Sequence, residues 1–194
     1  CGPEIVKSIR SLGGRIFIDL KLHDIPNTVY RATRVLTRYG ANIINVHTAG
    51  GMEMMRAASE AASEEAQHQG IDRPLVIAVT VLTSMGQQEL NQLGVSGNLN
   101  DRVRSWAKMA QNSGLDGVVA SALEAPAIRQ ACGQSFAVIT PGIRPTGSYA
   151  GDQKRVVTPA DAIKAGATYL VVGRPITAAP NPTEVARQVL REMG

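Results

Sequence analysis

At 194 residues, with 44% apolar side chains and a net charge of +4, the chain has the size and composition of one globular domain spanning 1–194. No apolar run approaches the roughly 20 residues needed to cross a bilayer, so no membrane partner is expected. One Trp, four Tyr and two Phe among scattered basic residues make no platform for nucleic acid, whereas the mild positive balance suits an anionic small molecule.

Along the chain, β-branched runs alternate with helical patterns, the signature of βαβ units on a parallel sheet. A helical pattern over 3–12 comes first. Strands are expected over 15–21, 43–47, 75–82, 117–121, 136–140 and 169–172, and helices over 28–39, 52–68, 99–113, 122–131 and 159–165. A last helix opens at Asn181-Pro182-Thr183-Glu184, where a cap, a first-turn proline and a capping-box glutamate follow one another. Thr158-Pro159-Ala160-Asp161 opens the helix before it in the same way. The longest irregular piece, 142–155, reads as a lid or binding loop. Polar clusters close nearly every strand: Asp19/Lys21, His47-Thr48, Thr83-Ser84, Ser121, Thr140-Pro141-Gly142 and Gly173-Arg174. Signals spread over so many strand ends predict an α/β chain of the (β/α)8 TIM barrel class. A doubly wound sheet would gather them at one crevice. Six strands and a helical start predict that the first β-α-β portion is missing from the N-terminal side.

The segment Asp19-Leu20-Lys21-Leu22-His23-Asp24-Ile25-Pro26-Asn27-Thr28 places three charges at the end of an apolar strand. Strict alternation puts Ile16, Ile18 and Leu20 on one face and Phe17, Asp19 and Lys21 on the other. Asp19 and Lys21 are then same-face neighbours, and Asp24 follows where the chain turns before Pro26. Burying an ion pair is too costly to be explained by stability alone, so the cluster marks a candidate active site. The competing reading is an edge strand with solvated charges.

Gly173-Arg174-Pro175-Ile176, after the strand at 169–172, is the second strong signal. Gly173 would admit an oxyanion close to the backbone, and Arg174 would add charge-assisted bonds. Arg144 and Gln153, at the start and within the long loop, could reach the same anion, while Pro141 and Pro145 shape the turn. Thr83 and Ser84 offer hydroxyls to a polar ring edge, Ser84 more readily as a helix N-cap. His47 reads as a core or rim histidine, Gly50-Gly51 as a turn, and Met52, Met54 and Met55 as packing. Cys1, Cys132 and the three histidines lack metal-ligand spacing. Two cysteines fit a reducing cytoplasm.

Taken together, these pieces resemble the orotidine 5′-monophosphate decarboxylases, specifically the bacterial branch. The resemblance rests on the Asp-x-Lys-x-x-Asp-Ile-Pro-Asn-Thr signature at Asp19–Thr28, on Asn45–Gly51, Val79–Met85, Thr140–Pro145 and Gly151–Gln153, and on Gly173-Arg174-Pro175. It implies decarboxylation of orotidine 5′-phosphate to UMP, without metal or cofactor, in a cytoplasmic homodimer whose site is shared across the interface. Lys21 then matches the lysine that protonates C6, and Asp19 the aspartate beside the scissile carboxylate. Asp24 matches the one that enters from the partner. Ile25, Pro26 and Asn27 belong to the same substrate-binding signature, and Thr28 matches a position that reaches across the dimer. Thr83 matches a pyrimidine contact, and Arg144, Gln153, Gly173 and Arg174 match phosphate contacts.

In this resemblance the family also uses an aspartate on its first strand and a lysine on its second, both N-terminal to the signature. Neither lies within the 194 residues, which predicts an open barrel and weak activity or none for this form. Two other readings stand beside the decarboxylase. One is a metal-dependent keto-sugar-phosphate decarboxylase or hexulose-phosphate synthase sharing Asp-x-Lys-x-x-Asp, against which the Ile-Pro-Asn-Thr continuation argues. The other is a non-catalytic nucleotide-binding remnant.

Overall fold

A computed structural model describes residues 2–147 and 157–194. Its six strands follow chain order across one sheet: β1 (Phe17–Leu22), β2 (Ile43–His47), β3 (Leu75–Val79), β4 (Gly117–Val119), β5 (Ala137–Thr140) and β6 (Tyr169–Leu170). β1 runs parallel to β2, β2 to β3, and β5 to β6. Parallel neighbours need crossover connections. α1 (Glu4–Ser11) leads into β1, the crossovers carry α2 (Pro26–Arg38), α3 (Gly51–Gln69), α4 (Gln87–Gln92), α5 (Leu99–Asn112), α6 (Ala125–Cys132) and α7 (Pro159–Ala165), and α8 (Arg174–Thr177) and α9 (Pro182–Met193) follow β6.

All six expected strands are present, and several stop early, β3 at Val79 rather than residue 82 and β4 at Val119 rather than 121. α2 begins at Pro26, two residues before the expected start, because a proline suits the first helical turn. α6 begins only at Ala125, since Glu124 folds back and its carboxylate accepts the Ser121 N–H at 2.9 Å. The caps at α7 and α9 form as the sequence predicts. Thr158 Oγ1 accepts the Asp161 N–H and Asn181 Oδ1 accepts the Glu184 N–H, both at 3.2 Å. Ser84 does not cap a helix: α4 starts after Gly86, whose N–H is taken by Glu89 Oε2 at 2.9 Å.

The chain divides into two compact units, Cys1–Thr80 with Trp106–Val118, and Val81–Ser105 with Val119–Gly194. In the first, Ile44, Val46, Met54, Met55, Val76 and Ile77 are fully buried. Leu36, Ala41 and Ile44 form a cluster that Ile18 and Leu22 of β1 pack against. The methionines serve as packing, as expected. In the second, Ala122, Ile143, Ala162 and Ala167 pack with Val157, Leu170 and Val172. There Arg129 donates to the Gly166 and Gln134 carbonyls and to Thr168 Oγ1, at 2.6–2.9 Å, tying α6 to the lead-in of β6.

α2 and α3 are joined by a charged contact that sequence patterning does not reveal. Glu65 lies on the buried face of α3 with Met54, Ala58, Ala61 and Ala62. Its carboxylate accepts from Arg38 Nε at 2.5 Å, Arg34 Nε at 2.7 Å and Gln69 Nε2 at 2.9 Å. Beside it, the Tyr30 hydroxyl donates to Glu64. The Arg38 guanidinium, with help from Gln69 and Arg34, holds the Glu65 carboxyl down at about 2, against an ordinary 4.5. A carboxyl lowered in the folded state stabilises fully above its unfolded value, and that contribution is lost as pH falls through the folded value. Acid unfolding should therefore steepen between pH 4.5 and about 2. Glu65→Gln should lower Tm at neutral pH and flatten that limb. Melts of both proteins across the window check this, and parallel curves would refute it.

Candidate active site

β1 does not keep its alternation to the end. Ile18 pairs with Ile44 and Leu22 with Val46, so three residues of β1 face the single residue Asn45. Such an irregularity breaks the ladder and re-aims side chains. Leu20, expected on the core face, is 60% exposed. Lys21 takes a left-handed backbone conformation (φ 52°), alone among non-glycine residues of the described chain, and this conformation is rare and costly for a residue with a Cβ.

The distortion brings the two charges together. Lys21 Nζ donates to Asp19 Oδ1 at 2.7 Å. The pair is not enclosed as expected, with side chains 40% exposed for Lys21 and 46% for Asp19. Asn45, only 1% exposed, contacts both residues. Its Nδ2 donates to Asp19 Oδ1 at 2.6 Å, and its Oδ1 accepts the Lys21 backbone N–H at 2.8 Å. Upstream, Asn42 Oδ1 accepts the Ile16 N–H at 2.8 Å. Two asparagine side chains thus fix β1 to β2. Asn45 opens one of the stretches that carry the resemblance but is not among the expected site residues, although a polar residue between Ile44 and Val46 is the signal that marks it.

Asp24 stands apart from the pair, exposed, its Oδ1 accepting the Ile25 N–H at 2.7 Å. Ile25 is 65% exposed, Pro26 is half-buried, and Asn27 and Thr28 are exposed at the start of α2. His23 and His47 meet ring to ring, with centroids 5.3 Å apart. Gly50 makes this corner possible, because a Cβ there would come within 2.3 Å of Met54 Sδ and 3.2 Å of His23 Cδ2. Next to it, Thr48 Oγ1 donates to the Val79 carbonyl at 2.9 Å, buried.

The remaining expected residues belong to the second unit. Thr83 is half-buried in the turn after Val81. Arg144 donates to the Ile143 carbonyl at 2.9 Å, and its N–H donates to the Val157 carbonyl at 3.0 Å, which closes the base of the long loop. Gly173 precedes the single turn of α8 with open space where a Cβ would stand; Arg174 is exposed. Gln153 and the lid expected around it lie outside the described residues. Among the described residues, no three His, Cys, Asp or Glu side chains gather as metal ligands would. No described helix is long and apolar enough to cross a membrane.

Comparison with known proteins gives a consistent result. The family model for "Orotidine 5'-phosphate decarboxylase / HUMPS family" matches residues 1–189. The orotidine 5'-phosphate decarboxylase of Moorella thermoacetica is 51% identical, over 99% of this chain and 77% of that protein. That of Syntrophomonas wolfei is 52% identical, over 100% of this chain and 82% of its own length. The crystal structure of orotidine 5'-phosphate decarboxylase from Lactobacillus acidophilus superposes with a TM-score of 0.87 at 36% identity, covering 100% of this chain and 81% of the other.

His47 supplies a pH test of this corner. Burial, then the nearby His23 and Lys21, hold its imidazole below the ordinary 6.5, with Asp19 opposing. Between the lowered value and 6.5 the unfolded chain binds a proton that the folded chain refuses, so stability rises with pH across that window. Tm should fall as pH drops from about 7.5 to about 5.5, and His47→Gln should lessen the fall. Thermal melts at both pH values check it; an equal drop in the two proteins would count against it.

Proposed function

The chain belongs to the orotidine 5'-phosphate decarboxylase / HUMPS family, and we propose that it decarboxylates orotidine 5′-phosphate to UMP with Lys21 as the proton donor. The observation that carries the residue assignment is the Lys21–Asp19 pair at 2.7 Å, set by a distorted strand end. In the reaction the bond from C6 to the carboxylate breaks and its electron pair stays on C6. Carbon dioxide leaves, and a proton from Lys21 Nζ forms the new C6–H bond. Solvent reprotonates the lysine.

The pyrimidine ring delocalises that electron pair poorly, so stabilisation has to be electrostatic and preorganised. An ammonium about 4 Å from a full negative charge gains roughly 4 kcal/mol at an effective dielectric of 20. That is a useful share of the barrier, though only a share. Asp19 holds the ammonium in place, accepting from Lys21 Nζ at 2.7 Å. Thr83 on the pyrimidine side and Arg144, Gln153, Gly173 and Arg174 on the phosphate side complete the assignment, which for these residues rests on the resemblance. Phosphate binding, remote from C6, supplies energy that can organise the reacting end.

The same reading makes the six parallel strands part of an eight-stranded (β/α) barrel. The protein is then a cytoplasmic homodimer in which Asp24 and Thr28 serve the partner's site. In support, Asp24, Ile25, Asn27 and Thr28 are exposed, as is Leu20.

Two experiments test the proposal. Lys21→Ala should lower kcat by at least about 10³-fold, since it removes both the proton donor and the positive charge. Loss of absorbance of orotidine 5′-phosphate, followed in EDTA, measures this, and turnover within tenfold of wild type would exclude Lys21 as the donor. Mixing separately inactive Lys21→Ala and Asp24→Ala proteins should restore about a quarter of wild-type activity, because half the reassorted dimers carry one intact site. No recovery after verified exchange would argue against a shared site.

A further inference from the structure

We infer that Asn45 is a positioning residue for decarboxylation, a side-chain clamp that holds Lys21 in its left-handed backbone conformation and its ammonium against Asp19. The inference rests on the decarboxylase reading above and extends it to a residue that touches neither substrate nor proton.

The amide has one workable orientation. With Nδ2 toward Asp19 Oδ1 at 2.6 Å and Oδ1 toward the Lys21 N–H at 2.8 Å, donor meets acceptor at both ends. Turned over, it would set oxygen against carboxylate and NH₂ against N–H, two repulsions in a site where Asn45 is buried. One rigid amide therefore fixes both the carboxylate and the backbone from which the ammonium projects.

The need for a clamp follows from the strand. Between Ile18 and Leu22 the pairing to β2 slips, so the Lys21 N–H finds its acceptor in a side chain. A non-glycine residue stays at φ 52° only where its surroundings over-determine it. Returned to extended backbone, Lys21 would stand about 7 Å from Asp19 along the same face, and nothing would fix its ammonium against that carboxylate. Its buried neighbours in β2 on either side, Ile44 and Val46, keep Asn45 itself from moving.

The test is Asn45→Ala and the nearly isosteric Asn45→Asp in the full-length protein, each compared with wild type for kcat, for UMP affinity by calorimetry and for the pH profile. Displacing a reacting group by an ångström costs about 10²-fold in rate. kcat of Asn45→Ala should fall by that order while UMP affinity stays within about threefold, since ground-state binding does not need the clamp. Asn45→Asp keeps an acceptor for the Lys21 N–H but sets a second carboxylate against Asp19, so its acid limb should move to higher pH. Wild-type kcat in Asn45→Ala, or equal losses of kcat and UMP affinity, would overturn the inference. If Asn45→Ala fails to fold, an Asn45→Asp protein with an unshifted pH profile and wild-type kcat overturns it equally. A wild-type protein without turnover would instead defeat the decarboxylase reading, and the clamp's catalytic role with it.

Discussion

The reactive end of this protein depends on one interruption in one strand. A regular β1 would carry its ladder through Leu22 and leave Asp19 and Lys21 as two side chains about 7 Å apart along one face. The register slips between Ile18 and Leu22, and there Lys21 Nζ meets Asp19 Oδ1 at 2.7 Å. The distortion is unfavourable for the strand itself, since it gives up ladder bonds and places a lysine in a backbone region meant for glycine. It persists because β2 beneath it is rigid. β2 pairs in unbroken register with β3 from Ile43 to His47, and Asn42 and Asn45 reach across from it to the backbone of β1.

The rest of the first unit holds β2 still. Ile44 and Val46 are fully buried, Ile44 in a cluster with Leu36 of α2, and α2 and α3 are fastened to each other by Glu65 between Arg34 and Arg38. A buried ion network is a weak source of net stability. Its directional bonds do, however, fix how two helices sit. At the edge of β3, Asp116 Oδ2 accepts both the Val76 N–H and Arg73 Nη1 at 2.7 Å. Polar side chains of Asn42, Asn45 and Asp116 thus set register where apolar packing alone would allow slippage.

Much of this was legible in the sequence, and the reasons differ by element. The strands were readable because β-branched runs between helix caps have few other solutions, and the caps at Thr158 and Asn181 because their spacing has a mechanism. The charged cluster was readable because Asp19 and Lys21 have no business at the end of an apolar strand. The register slip was not, since alternation carries no information about an inserted pair of residues. Strict alternation accordingly sets Leu20 on the core face, whereas it is exposed. α4 and α8 are too short to leave a periodic signal. Glu65 was visible in principle, sitting where the i, i+3, i+4 pattern of α3 calls for an apolar residue. Asn45 likewise interrupts Ile43-Ile44 and Val46, a polar residue in a strand buried on both sides.

The half-exposed setting of the pair bears on how the chemistry can work. Between exposed charges at a dielectric near 80, an ammonium and a negative charge about 4 Å apart gain only about 1 kcal/mol, a quarter of the value at 20. The lysine becomes effective only when water is kept from it. In the proposed mechanism the substrate ring covers one side and a second protomer, bringing its own Asp24 and Thr28, covers another. On that view the exposure of Asp24 and Ile25 and of the Lys21–Asp19 pair has a single cause. On the same proposal the chain presents half of an electrostatic site, held by the bonds to Asn45, and assembly and binding lower its dielectric further than folding alone. This also separates the two tasks: folding fixes the geometry of the charges, and binding sets their strength.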